Sequence, residues 1–218
     1  MRLSDFHTWL FDVDGTLIDS TSAVVNCMKR TALDMGGEVT DEKELKASFG
    51  KGLTHTLKPW IPEGKIDEAL EQYMRNFHHF VGNNISLFDG VIELLDLLHE
   101  KGVPMGIVTG NKQSEMDGIF DRLPIRKYFG AVVCADSLPF QKPSPEPVLH
   151  ALEILGHVAD GAVFVGDSEH DIRSGRLAGV KTIAIKGGSS PEERLLAAEP
   201  DMVFDRIGEI LERLRAEG

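Results

Sequence analysis

Asp12 and Asp14 stand two positions apart, directly after the apolar run Thr8–Phe11. In an open α/β sheet, ligands and chemistry collect at the carboxyl ends of the strands. Residues i and i+2 of an extended segment share a face, and Gly15 lets the chain turn immediately afterwards. The two carboxylates can therefore take different roles around one reacting centre.

Three further groups of polar residues end predicted strands or follow them in loops. They are Thr109 with Gly110 and Asn111, then Lys142, then Asp167 with Asp171. Taken singly, each group has an ordinary structural explanation, such as a helix cap or a solvated lysine. Taken together with the first pair of aspartates, they form an ordered set that one sheet edge would bring to one site.

These residue types fit phosphoryl transfer, which needs an in-line nucleophile, charge neutralisation and a proton for the leaving group. Asp12 is the candidate nucleophile, because a carboxylate can form an aspartyl-phosphate. Asp14 would protonate the leaving oxygen and later accept a proton from the attacking water. Thr109 and the backbone amides after it can donate hydrogen bonds to phosphate oxygens, and Lys142 supplies a fixed positive charge.

Four aspartates at one site also require a cation. One like-charge pair at about 4 Å costs roughly 4 kcal/mol at an effective dielectric of about 20. A single lysine cannot offset four carboxylates and a phosphate dianion. Mg²⁺ suits one or two carboxylates together with a substrate phosphate, so the sequence predicts Mg²⁺ as the cofactor.

The elements that must position these residues alternate between strand and helix from about residue 87 onward. We predict strands over 8–11, 103–108, 131–134, 162–165, 180–185 and 202–204. We predict five helices: one that begins after Asp89, one over 113–123, one that begins at Ser144-Pro145, one that ends at Ala178, and one at the carboxyl end of the chain. Near-continuous apolar strands in repeated βα units indicate a parallel sheet with helices on both faces. The predicted fold class is therefore α/β with a Rossmann-like core.

The segment between the first strand and the rest of the sheet has only helical patterns, over 23–35, 41–47, 52–58 and 66–80. We predict a core domain of residues 1–18 and 86–218 and an inserted helical cap of residues 19–85. Gly82 and the two asparagines after it suit a hinge. In the cap, Lys51 and His55 are candidate substrate contacts, with a solvated loop as the equal alternative.

Composition limits the classes of partner. The 218 residues carry a net charge of −12, which disfavours general nucleic-acid binding but allows small phosphorylated substrates beside a metal. The longest apolar stretches have strand length, so no membrane span is predicted, and the first residues do not resemble a signal peptide. Cys27 and Cys134 are expected to be buried thiols in the cytoplasm. The chain is expected to be a monomer or a homodimer.

The motif order resembles the haloacid dehalogenase-like superfamily. The segments 12–17, 109–111, 142–143 and 166–171 resemble its four motifs, and an insertion after the first motif is similar to its phosphoglycolate phosphatase and β-phosphoglucomutase subgroup. The resemblance implies that Asp12 and Asp167 bind Mg²⁺ through their side chains and Asp14 through its backbone carbonyl. It also implies that Asp171 orients Lys142 or a metal-bound water.

The leading interpretation is a Mg²⁺-dependent phosphatase for a small phosphorylated metabolite. A phosphomutase of the β-phosphoglucomutase type is the main alternative, although we see no dense basic cluster for a second phosphate. A dehalogenase is disfavoured because Asp14 would have no leaving oxygen to protonate. A phosphorelay receiver does not fit the motif order, and a non-catalytic phosphate-binding protein is less favoured. The substrate stays open, because specificity lies in the cap.

Overall fold

The computed structural model describes residues 1–48 and 53–218 of the chain. It divides into two units, of which the first comprises Met1–Asp19 with Leu87–Gly218 and the second comprises Ser20–Ser86. Among the described residues, none of the helices has the length and apolar character that a membrane crossing requires. The boundaries and role of a cap domain remain a prediction.

The strands are β1 (Thr8–Phe11), β2 (Ile18–Asp19), β3 (Ser86–Leu87), β4 (Met105–Val108), β5 (Ala131–Val133), β6 (Ala162–Gly166), β7 (Lys181–Ile185) and β8 (Met202–Phe204). Six of them form a sheet in the order β5-β4-β1-β6-β7-β8. Every pairing in that sheet is parallel, which confirms the predicted α/β fold with a Rossmann-like sheet. Since β1 lies between β4 and β6, the chain order reverses beside it, and such a switch point is where open sheets bind ligands.

The helices are α1 (Thr21–Asp34), α2 (Glu42–Ala47), α3 (Leu53–Leu57), α4 (Ile66–Asn84), α5 (Val91–Glu100), α6 (Gln113–Arg122), α7 (Glu146–Leu155), α8 (Glu169–Ala178), α9 (Glu192–Ala197) and α10 (Gly208–Glu217). In the second unit, α1 packs against α4. In the first unit, α7 packs against β4 and β5, and α8 packs against β6 and β7. These two helices cover the strands whose ends carry the predicted site.

The central strand is buried on both faces of the sheet. Leu10 belongs to the apolar cluster that β1 and β6 share with α7 and α8. Trp9 and Phe11 point to the opposite face, where their rings stack with centroids 5.9 Å apart. Phe11 also meets the edge of Phe129 at 6.3 Å. The continuous apolar run of this strand is explained by this burial on two sides.

Several predicted boundaries were wrong. The first helix after the insertion begins at Val91 behind Gly90, which is the N-cap in a left-handed conformation, so Asp89 does not cap it. Helix α4 passes Gly82 and ends only at Asn84, because one glycine costs a helix about 1 kcal/mol and Ile85 is the first extended residue. Helix α9 was not predicted, since its six residues are too few to show a periodic pattern.

Two glycines inside helices provide a test of how closely α8 packs against β7. A Cβ on Gly175 would come within 2.6 Å of the Thr182 methyl carbon, whereas a Cβ on Gly118 would meet nothing within 4 Å. The Thr182 hydroxyl is bonded to Asp201, so that side chain cannot rotate away without loss. We expect Gly175→Ala to lower the free energy of unfolding by about 1–3 kcal/mol, as overpacking does. Gly118→Ala should raise it by about 0.5–1 kcal/mol.

Urea unfolding followed by circular dichroism measures both changes. An unaltered or raised stability of Gly175→Ala would contradict the close approach of α8 to β7.

Candidate active site

The site begins where β1 ends. The backbone N–H of Asp12 donates to the Val165 carbonyl at 2.9 Å, which extends the ladder to β6 by one residue. The chain then turns, with the Ile18 N–H bonded to the Val13 carbonyl at 3.0 Å. Gly15 has a φ of +80°, a conformation that favours glycine. Ladder and turn together fix the first two aspartates at the carboxyl edge of the sheet.

Lys142 joins the ends of β1 and β4 to the start of α8. Its Nζ lies 2.7 Å from Asp12 Oδ1 and 2.6 Å from Asp171 Oδ1, and it donates to the Val108 carbonyl at 3.0 Å. The side chains of Lys142 and Asp12 are only 12% and 11% exposed, so these ion pairs are shielded from water. A lysine that the sequence separates from Asp12 by 130 positions is thus the central cation of the site.

Asp167 follows β6 and is fully buried. Its Oδ1 accepts a hydrogen bond from the Thr16 hydroxyl at 3.2 Å. Its Oδ2 accepts from both the backbone N–H and the hydroxyl of Ser189, the latter at 2.7 Å. The motif that contains Asp12 and the loop after β7 therefore hold this carboxylate from two sides.

Asp171 is held by the start of α8. Ser168 is the N-cap, and its hydroxyl accepts from the Asp171 N–H while Asp171 Oδ2 accepts from the Ser168 N–H at 3.0 Å. This reciprocal arrangement is a capping box. The Ser168 hydroxyl also lies 2.6 Å from Oδ2, so that oxygen faces the cap and Oδ1 faces Lys142. Asp171 is consequently a fixed partner of the lysine.

Asp14 takes a different partner. Its Oδ2 accepts from the side-chain amide of Asn111 at 2.5 Å. The backbone N–H of Asn111 donates to the Thr109 hydroxyl oxygen at 3.1 Å, which leaves the hydroxyl hydrogen of Thr109 as a donor. The Asn111 backbone N–H and side-chain amide are thus both bonded within the protein, and the role of Asn111 at a phosphate stays a prediction. Asp14 is more exposed than Asp12, which suits a group that exchanges protons.

Burial and mutual repulsion shift the titration of the site. Burial raises the pKa of Asp12 well above its usual value, Lys142 opposes this, and Asp171 and Asp167 add to it. Burial, followed by the charge of Asp171, raises the pKa of Asp167 to about 6. For Lys142, burial lowers the pKa, but the carboxylates of Asp12 and Asp171 outweigh it and hold the pKa above its usual range. The ammonium group is therefore charged at any working pH.

The donor set fits a hard divalent cation. Asp12, Asp167 and Asp171 each offer a carboxylate oxygen within 4.8 Å of the others. Asp171 Oδ1 already pairs with the Lys142 ammonium group at 2.6 Å, whereas Asp167 Oδ1 accepts only the Thr16 hydroxyl at 3.2 Å, so Asp171 is less available to a cation than Asp167. Buried like charges of this kind are costly unless a cation compensates them. Their chemistry points to an oxygen-coordinated metal.

A cavity of about 270 Å³ lies over these groups in the first unit. Of the predicted site residues it is lined by Asp12, Asp14, Thr109, Gly110, Asn111 and Lys142. Asp167 and Asp171 are not among the residues that line it. Lys51 lies outside the described residues, and His55 lies in α3 of the second unit.

The sequence analysis missed the loop after β7 as part of the site. Ser189 contacts Asp167, and Ser189, Ser168 and His170 also line the cavity. Ser168 carried a signal, because serine three residues before an acidic residue at a helix start indicates a capping box. The segment Gly187–Ser190 has the composition of an ordinary loop, and nothing in it points to a residue 22 positions earlier.

Comparison with known proteins gives the family. The model of the haloacid dehalogenase-like hydrolases matches residues 9–185. The chain is 29% identical over 207 residues to the pyrophosphatase PpaX of Anoxybacillus flavithermus, covering 95% of this chain and 96% of that protein. It is 27% identical over 203 residues to the phosphoglycolate phosphatase of Agrobacterium fabrum, covering 90% and 87% of the two chains.

The fold has a counterpart among solved structures. A crystal structure from Haemophilus somnus, named as a predicted phosphoglycolate phosphatase, superposes with a TM-score of 0.85 at 23% sequence identity. The alignment covers 96% of this chain and 98% of that one. At this identity the likeness concerns the fold.

The raised pKa values predict a pH-dependent effect of a divalent cation. A carboxyl whose pKa is higher in the folded state than in the unfolded state binds its proton more tightly when folded, and this stabilises the fold. For Asp167 the stabilisation is complete at pH values below the unfolded pKa of 3.8 and is lost as the pH rises through the folded pKa of about 6. A cation competes with these protons. We expect MgCl₂ to raise the thermal midpoint more at about pH 7.5 than at about pH 5.

Scanning fluorimetry at the two pH values measures both shifts. Asp167→Asn should reduce the shift at the higher pH, and equal shifts of the unaltered protein at both pH values would contradict the prediction.

Proposed function

Because the chain belongs to the haloacid dehalogenase-like hydrolase family, we propose that it is a Mg²⁺-dependent phosphatase that forms an aspartyl-phosphate on Asp12. The observation that carries this proposal is the placement of Asp12 between a buried lysine and two further buried carboxylates, with Lys142 Nζ at 2.7 Å. An oriented carboxylate beside a fixed positive charge is what attack on phosphorus requires.

In the first step, a carboxylate oxygen of Asp12 attacks phosphorus and the bond from phosphorus to the leaving oxygen breaks. Asp14 donates its proton to that oxygen, with the Asn111 amide at 2.5 Å keeping the carboxyl in place. Lys142 and the Thr109 hydroxyl hydrogen stabilise the charge on the phosphoryl oxygens. The products of this step are the free alcohol or phosphate and the phosphorylated aspartate.

In the second step, water attacks the phosphorus of the aspartyl-phosphate. Asp14, now ionised, accepts the proton of that water, and the bond from Asp12 to phosphorus breaks. Inorganic phosphate leaves, and both carboxyl groups return to their starting states. One residue thus serves as acid and then as base, because the two steps are separated by departure of the leaving group.

We assign the side chains of Asp12 and Asp167 to the metal, together with the backbone carbonyl of Asp14. Asp171 is assigned to Lys142, since its oxygens are already engaged by that ammonium group and by Ser168. When bound, Mg²⁺ supplies the positive charge that offsets the buried carboxylates and the substrate phosphate.

We propose a compact substrate. The cavity of about 270 Å³ is smaller than the pockets of about 300–1,000 Å³ that take drug-sized ligands. Two relatives that match almost the whole chain are named as a pyrophosphatase and a phosphoglycolate phosphatase. Pyrophosphate and phosphoglycolate therefore belong in a first substrate panel. We further propose that residues 19–85 act as the cap that sets specificity, and that free, buried Cys27 and Cys134 indicate a reducing cytoplasm.

Replacement of Asp12 tests the proposal. Asp12→Asn removes the nucleophile while keeping the side-chain shape, so we expect kcat for phosphate release to fall by about 10⁴-fold or more. The exposed Asp160→Asn, which makes the same chemical change away from the site, should keep full activity. Phosphate release from the metabolite panel with MgCl₂ is the assay, and thermal unfolding checks that the variant is folded.

Near-normal turnover of folded Asp12→Asn would contradict the mechanism. Transfer of the phosphoryl group to a second sugar phosphate, without release of inorganic phosphate, would instead support the phosphomutase.

A further inference from the structure

We propose that Ser189 is a positioning residue that makes the metal site selective for Mg²⁺ over Ca²⁺ by leaving Asp167 only one oxygen for the metal. The inference rests on the proposed function, because it takes Asp167 as a metal ligand. It concerns a residue outside all four sequence motifs.

The argument starts from the acceptor capacity of Asp167. An ionised carboxylate has about four lone-pair positions, two on each oxygen. Oδ2 accepts from the backbone N–H and from the hydroxyl of Ser189, so both of its positions are used. Oδ1 accepts one hydrogen bond, from the Thr16 hydroxyl at 3.2 Å, and keeps one position. A metal can therefore take one bond, through Oδ1.

The loop that carries Ser189 is held against Asp167 on one side and against α8 on the other. A Cβ on Gly188 would overlap the Asp167 carboxylate, so only glycine allows this approach. The next residue, Ser190, bonds through its hydroxyl to Glu169, which is 2% exposed and also pairs with Arg194. The donors of Ser189 are thus held in place by a loop that a buried glutamate anchors to α8.

One-oxygen coordination favours Mg²⁺. Mg²⁺ demands near-octahedral geometry at about 2.0–2.1 Å, whereas Ca²⁺ takes about 6–8 oxygens and commonly binds a carboxylate through both. Removing the Ser189 hydroxyl frees a lone pair of Oδ2 and allows Asp167 to bind through two oxygens. The change should therefore weaken Mg²⁺ binding and favour Ca²⁺.

The test compares metal affinities of the intact chain. Thermal midpoints are titrated with MgCl₂ and, separately, with CaCl₂ to obtain the two dissociation constants without substrate. For Ser189→Ala we expect the ratio of the Ca²⁺ to the Mg²⁺ dissociation constant to fall by about tenfold, in line with the loss of a partner behind a ligand. Ser189→Thr keeps the hydroxyl at an exposed position and should therefore keep the original ratio.

Ser4→Ala is the matched control, because it makes the same chemical change at an exposed serine near the amino end of the chain. An unchanged ratio in Ser189→Ala, or an equal fall in Ser4→Ala, would overturn the inference while leaving the proposed function intact. If the unaltered protein binds neither ion at the site, with Asp167→Asn as the reference, the proposed metal site and this inference both fail.

Discussion

The site depends on one buried ammonium group. Lys142 Nζ lies within 2.7 Å of Asp12 and Asp171 and also bonds the last carbonyl of β4, so it connects three segments that are far apart in the sequence. Without it, Asp12 would be a buried carboxylate facing two others, and loss of one partner of a buried pair typically costs about 3–5 kcal/mol. The lysine both permits Asp12, the proposed nucleophile, to be charged and fixes where its carboxylate points.

Apolar packing in the rest of the first unit offsets the cost of burying these charges. The four residues of β1 are buried on both faces, and their apolar contacts hold the strand whose end carries Asp12. The pKa of Asp167 is nevertheless raised to about 6 by burial and by Asp171, which means that the lysine does not compensate all the negative charge. Under the proposed function, proton, metal and phosphate would bind to linked sites, with the second positive charge supplied by a cation that arrives with or before the substrate.

Much of the architecture could be predicted from the sequence, for identifiable reasons. Continuous apolar strands such as β1 and β6 indicated a parallel sheet, and the carboxyl ends of parallel strands meet at one edge, so convergence of Asp12, Thr109 and Asp167 followed from topology. The pairing of Asn111 with Asp14 and the contact of Ser189 with Asp167 could not be predicted, since they depend on side-chain directions in loops of ordinary composition. The end of α4 was missed because a glycine is a weak helix stop.

The central claim is that Asp12 carries the phosphoryl group during turnover. Rapid acid quenching of the enzyme with substrate and MgCl₂, followed by borohydride reduction, converts an aspartyl-phosphate into homoserine, which peptide mass spectrometry locates. The account predicts homoserine at position 12 and unmodified Asp14. Homoserine at position 14, or none at position 12 while phosphate is being released, would contradict it.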